Sequence, residues 1–253
     1  MPLVTDGLVN HLDSLALLSQ GYTNGQDLTV TNIPDNIDSK GWGGDGYGLS
    51  FYLSGGPNNF PVIRFSNGFL HQKNAEDFLQ FNSMSVMIAA TRTGTSWTNS
   101  WMGLYSMYYN HAKAGVNILA ITDNKFDGNF NGWGTYNETT TVKSTSAMAL
   151  NIPTIVTVTA NSNSSGTFYT NASAAGTFSS SKVQGYFGLG GLESANGFFR
   201  GDLYEVLVYN RVLTESEVAT NADYLNSKWF NTSRVWNNAR YSWDDATYTW
   251  AIA

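Results

Sequence analysis

Two carboxylates three residues apart, Asp202 and Glu205, are the nearest this sequence comes to the acid/base pair of a glycoside hydrolase. That chemistry needs carboxyl groups about 5–9 Å apart, whereas residues three apart on a strand face opposite sides. A strand-end Asp and a hydrogen-bonded buried Glu are therefore the favoured reading of the pair, and no catalytic residue is assigned. His11, His71 and His111 lack the spacing of an HExxH zinc motif, and neither a G-x-S-x-G elbow nor a phosphate-cradling glycine loop occurs. With no cysteine in the chain, thiolate metal sites and Cys nucleophiles are absent too. The expectation at this level is a chain that is not an enzyme.

Binding chemistry has more material. Asp123, Asp127, Asn129 and Asn131 alternate oxygen donors around a glycine, as a calcium loop would, but Lys125 stands at the third position and Gly134 at the twelfth. An EF-hand loop wants oxygen at the third and Glu at the twelfth, so a metal-free hairpin is the favoured reading. These four residues are nonetheless the metal candidates, with calcium as the cofactor if there is one. Trp97, Trp101, Trp133 and Tyr136 lie among many Asn residues, which is the pairing of aromatic platform and planar polar groups that sugar recognition uses. Most aromatics in such a chain fill the core, so this is the weaker reading of them. Trp42, in a glycine-rich run, suits either an exposed contact or a plug over one sheet end.

From Trp236 to Trp250 a seven-residue repeat of the form W-[ND]-[ND]-A-x-Y-[ST]-W appears. Tyr241/Trp243 and Tyr248/Trp250 fall two apart on single strand faces, with Asn237-Asn238 and Asp244-Asp245 at turns, which reads as a small aromatic β-meander. Twenty residues cannot cover seven large aromatics between Trp229 and Trp250, so the tail must dock, either on its own sandwich or on another subunit. Trp236, Tyr241, Trp243, Tyr248 and Trp250 are the assembly candidates on the second alternative.

The elements that must position these groups are mostly strands. Runs rich in β-branched and aromatic residues recur between Gly/Asn/Ser punctuation at 60–65, 84–91, 101–109, 115–122, 154–160, 166–170, 183–189 and 203–209. The spacing predicts an antiparallel sandwich, with 203–209 as a central strand because it is apolar on both faces except at Glu205. Thr214-Glu215-Ser216-Glu217 is a capping box that starts one helix over about 214–230. Val218, Ala222, Leu225 and Trp229 form its apolar stripe, leaving Glu217, Asn221 and Lys228 more exposed. Charged residues reach only 13% of 253, against a usual figure of about 25%. The net charge of −6 provides no basic field for nucleic acid. No basic and apolar leader and no run of about 18 apolar residues is visible, so neither a signal peptide nor a membrane partner is expected.

Three blocks carry a resemblance to a known family. Gly7-Leu8-Val9-Asn10-His11-Leu12-Asp13-Ser14 resembles the opening "GLVLxLDA" strand of the concanavalin A-like, laminin-G-type jelly rolls. Val62 to Gly68 resembles their "LxFDG" strand, with Ser66-Asn67 where an acidic residue is usual, and is followed at 84–91 by a strand of "FTVxxWVK" type. Gly201 to Glu217 is similar to the closing "GxIxEVxIYNRALSxxE" block. The resemblance, which spans roughly residues 7–229, implies an all-β concanavalin A-like sandwich of two antiparallel sheets, taken as a domain over 1–231 and closed by the C-terminal helix; the aromatic β tail at 232–253 lies outside it. It is greatest to versions in bacteriophage structural proteins. The expected function is therefore a non-catalytic virion component, a capsid decoration or tail-associated protein, assembled through its tail with other virion proteins and with itself as a homo-oligomer, a trimer by analogy. The alternative is a carbohydrate-binding module or adhesin for host or environmental glycans, and after that a glycoside hydrolase.

Overall fold

The structure, a computed structural model, describes residues 2–28, 32–33, 42–72, 83–94, 101–109, 114–122, 132–137, 140–161, 165–179, 186–191 and 198–231. In chain order the elements are β1 (Leu8–Asp13), α1 (Ala16–Ser19), β2 (Gln26–Asp27), β3 (Asn32–Ile33), β4 (Trp42–Tyr52), β5 (Val62–Gln72), β6 (Met84–Arg92) and β7 (Trp101–Tyr109). They continue with β8 (Ala114–Thr122), β9 (Gly132–Asn137), β10 (Thr140–Ala147), β11 (Pro153–Ala160), β12 (Ser165–Thr170), β13 (Ser173–Ser179), β14 (Tyr186–Leu189), β15 (Gly201–Tyr209) and α2 (Glu215–Leu225). The strands form one antiparallel ladder in the order β10-β9-β8-β7-β14-β5-β15-β6-β11-β12-β13, with β1 beside β15 and β4 beside β5. The ladder folds over on itself as an all-β sandwich, and its two ends come together where the Ser144 hydroxyl of β10 donates to the Ala175 carbonyl of β13, 3.2 Å.

Alternating side chains divide the buried apolar residues into two layers. Leu12, Ile63, Phe65, Val86, Ile88, Val156, Phe168, Leu203, Val206 and Val208 fill the sandwich interior. On the other face of the same strands, Met87, Ala89, Ile155, Tyr204, Leu207 and Tyr209 meet Val218, Ala222, Leu225 and Trp229 of the C-terminal helix. Strands β6 and β15 are consequently buried along their whole length on both faces. Each large apolar side chain so covered contributes about 1.5–3 kcal/mol, and this second layer holds the helix in place. Trp42 is fully buried at the start of β4, in the interior layer, so it plugs the core and is not an exposed contact.

The helix begins as its capping box requires. The Thr214 hydroxyl accepts from the Glu217 amide at 3.3 Å, and the Glu217 carboxylate accepts the Thr214 N–H at 2.8 Å. Arg211 donates twice to the same carboxylate, at 2.9 and 2.7 Å, tying the entry of the helix to its first turn. Past Leu225 the helix widens to a π turn over Asn226–Phe230. Two expectations for its outer face are corrected. Asn221 is fully buried, accepting from the Val4 amide and donating to the Tyr209 hydroxyl, both 2.9 Å. Lys228 is buried as well, because carboxylates lie beneath it.

Candidate functional site

The outer face of β1 and β15 carries a buried cluster of charge. Asp13 sits opposite Glu205, and His11 opposite Leu207, in the β1–β15 ladder. Lys228 Nζ, from the π turn above, donates to Glu205 Oε2 at 2.6 Å and to Asp13 Oδ2 at 2.7 Å. Trp229 Nε1 donates to the same Glu205 oxygen at 2.7 Å, while His11 Nε2 and the Tyr224 hydroxyl bond its other oxygen at 2.7 and 3.0 Å. Asp13 Oδ1 accepts the Leu15 amide at 2.9 Å. Burial pushes the Glu205 carboxyl up, but Lys228 and His11 outweigh it and hold it down at about 2. Burial pulls the Lys228 ammonium down, yet Asp13 and Glu205 raise it well above its ordinary range. Polar atoms of His11, Asp13 and Glu205 approach one another within 4.8 Å, the geometry of a cation site. Lys228 occupies that position, its ammonium shared between the two carboxylates.

A β-bulge creates this arrangement and corrects the reading of Asp202 and Glu205. In the ladder with β6, Leu203 pairs with Ala90 but Glu205 pairs with Ala89, leaving Tyr204 as the extra residue. The strand's alternation therefore shifts by one, and Asp202, Tyr204 and Glu205 all lie on the outer face. The two carboxylates are nonetheless separately engaged. Asp202 takes a bidentate contact from Arg64, at 2.6 and 2.8 Å, whose guanidinium also lies 4.7 Å from the centre of the Tyr52 ring. A buried carboxylate held at about 2 and another clamped by Arg64 are not poised as an acid/base pair.

The surface offers a different arrangement where β5 meets the segment entering β15. Phe69 and Phe198 lie nearly parallel, at 20°, with ring centroids 6.4 Å apart, and both are half-buried. Gly191 forms their floor, since a Cβ there would stand 2.7 Å from Phe69 Cβ and 3.3 Å from Phe198 Cδ1. The backbone beneath is pinned by the Phe199 amide on the Gly190 carbonyl, 2.7 Å, and the Gly190 amide on the Leu104 carbonyl, 3.0 Å. Next to the rings, Arg200 packs its stem near Gly94 and donates to Asn67 Oδ1 at 3.4 Å. Ser66 and Asn67, the departures from the family's acidic block, are both exposed. Two aromatic rings beside a guanidinium and an amide are the groups a saccharide contacts. This patch was not among the sequence candidates. Its signal is the Phe198-Phe199-Arg200 run before the closing strand, legible only once the fold brings Phe69 alongside.

Of the sequence candidates, Trp101 lies at the start of β7 opposite Thr122, and Trp133 and Tyr136 lie on β9 opposite Ile121 and Asn117 of β8. Thr122 also pairs with Gly132, so Trp101 and Trp133 occupy adjacent rows of the ladder. Trp97, the metal candidates Asp123, Asp127, Asn129 and Asn131, and the tail residues Trp236, Tyr241, Trp243, Tyr248 and Trp250 lie outside the described residues.

Among solved structures, domain 4 of AbnA, an extracellular GH43 arabinanase from Geobacillus stearothermophilus in complex with arabinotriose, is similar at TM-score 0.61 and 13% identity. The match covers 85% of this chain and 98% of that domain. Trypanosoma rangeli sialidase in complex with sialic acid is similar at TM-score 0.58 and 16% identity, and a mutant of it displaying trans-sialidase activity at 0.61 and 14%. Each covers 90% of this chain, which spans about a third, 34%, of the sialidase's length. No curated protein matches the sequence. The expectation of a chain that is not an enzyme is corrected by these neighbours: the fold is shared with a domain of a GH43 arabinanase and with about a third, 34%, of a sialidase, and it gives no ground for excluding catalysis. The bacteriophage variety of the resemblance and the virion role find no support in them. Residues 74–219 match the family described as the concanavalin A-like lectin/glucanases superfamily. That match takes in β6 to β15 and the start of α2, and the chain belongs to this superfamily.

Proposed function

We propose that this domain recognises carbohydrate, holding a saccharide against the Phe69–Phe198 pair with Arg200 and Asn67 as its hydrogen-bonding partners. The observation that carries the reading is the juxtaposition of two nearly parallel, half-buried rings with an Arg200–Asn67 pair where β5 meets the segment entering β15. Aromatic faces cover the apolar C–H side of a sugar ring, while guanidinium and amide groups address its hydroxyls. Membership of a lectin/glucanase superfamily supports the same class of ligand.

A glycan array probed with the purified chain tests it, followed by titration of any hit against Phe198→Ala and Arg200→Ala. Saturable binding that weakens about tenfold or more in each variant is expected, about 1.4 kcal/mol per tenfold. Retention of full affinity in both variants would move the site elsewhere, with Trp97, Trp101, Trp133 and Tyr136 next in line. A blank array would overturn the reading. Assaying release of reducing sugar from the same hits asks whether binding leads to turnover. Repeating the array with calcium and then chelator asks whether the Asp123 to Asn131 loop takes part.

A further inference from the structure

The ion cluster under the C-terminal helix is unused by saccharide recognition, and its make-up points to a second property. We propose that His11, Asp13, Glu205 and Lys228 form a pH-sensitive clip that holds α2 and its π turn against β1 and β15, tighter when His11 is protonated. Two carboxylates from two strands face one cation from the π turn, so among the described residues the negative charges of the cluster outnumber the positive by one until His11 takes a proton. With His11 charged, two cations meet two anions in a site where Glu205 is fully buried and Lys228 nearly so. The imidazole and the Asp13 carboxylate, 13% and 12% exposed, form the rim of the cluster, so solvent protons reach His11 without opening the fold. A π turn often marks a functional position in a helix, and here it brings two consecutive residues, Lys228 and Trp229, onto one oxygen of Glu205.

Among the described residues, the charged and titratable groups facing His11 include Glu205 from β15, Asp13 from its own strand, Lys228 from the π turn and, through Glu205, the Tyr224 hydroxyl from α2. Burial pulls the imidazole down, the hydrogen bond and charge of Glu205 and the charge of Asp13 pull it up, and Lys228 opposes them; the balance raises it above 6.5. A neutral imidazole keeps the contact through Nε2–H, so what changes with pH is charge and not geometry. A raised folded-state pKa stabilises fully below the unfolded value near 6.5 and loses its contribution as pH climbs through the folded one. The helix is therefore held most firmly on the acid side of neutrality.

The test is performed on the full chain. NMR titration of the His11 ring is expected to give a midpoint above 6.5, lowered in Asp13→Asn. Amide exchange of residues 215–230 between pH 5.5 and 8.5, corrected for intrinsic exchange, is expected to lose protection as pH rises. Each pH unit by which His11 titrates above 6.5 corresponds to about tenfold in protection. In His11→Gln that dependence is expected to disappear. A His11 midpoint at or below 6.5 would overturn the proposal, as would an unchanged pH dependence of helix exchange in His11→Gln. Should that variant fail to fold, the titration of the natural chain decides alone.

Discussion

Glu205 Oε2 receives an ammonium and an indole N–H while Oε1 receives an imidazole and a phenol, so one buried carboxylate joins two strands to a helix. Removing one partner from such a set leaves an uncompensated buried charge, which costs about 3–5 kcal/mol. Lys228→Met is accordingly expected to destabilise the chain by that amount in urea denaturation, despite adding an apolar side chain to an apolar layer. Acid gives a second check. Because Glu205 is held at about 2 in the folded chain, its contribution is complete above its ordinary value near 4.5 and is lost as pH falls toward 2. Thermal melts from pH 6 to 2 are expected to show that decline, and Glu205→Gln to flatten it. At the surface patch, Gly191→Ala places a methyl 2.7 Å from Phe69 Cβ. It is expected to weaken glycan binding by displacing the rings while leaving both aromatics present, as titration calorimetry on the array hit would record.

The helix and the closing strand set how these residues meet. Thr214→Ala removes the cap acceptor and is expected to cost about 1 kcal/mol in denaturant unfolding, with glycan affinity unchanged because the patch lies elsewhere. The capping box was legible because it is a local pattern, and the helix starts where Thr214 dictates. Lys228 was misplaced for a physical reason: polarity suggests solvent, but a lysine above two carboxylates is better satisfied inside, and only the fold reveals them. The same limit applies to Glu205. Periodicity assigns it the face opposite Asp202, and the bulge at Tyr204, which no local pattern announces, turns it to the helix side. Strands 84–91, 101–109, 154–160 and 203–209 were readable from β-branched and aromatic runs. The glycine-rich Trp42–Tyr52 strand and the Ser/Ala-rich Ser173–Ser179 strand were not, since their place in the sheet comes from pairing with β5 and β12 and not from their own composition.

Across the described residues, one continuous antiparallel ladder closes through β10 and β13, buries β15 on both faces, and sets an aromatic and guanidinium patch where β5 meets the segment entering β15. The family was legible in three sequence blocks, whereas the patch joins Phe69 to Phe198 across more than a hundred residues and waited on the fold. The superfamily hosts both binding and catalysis, so function rests on the patch itself. The measurement that tests this most directly is titration of the best glycan-array ligand into the natural chain and into Phe198→Ala and Arg200→Ala, with thermal melts as a check on folding. Saturable binding to the natural chain is expected, with a loss of about tenfold or more in each folded variant. Equal affinity in all three would contradict it.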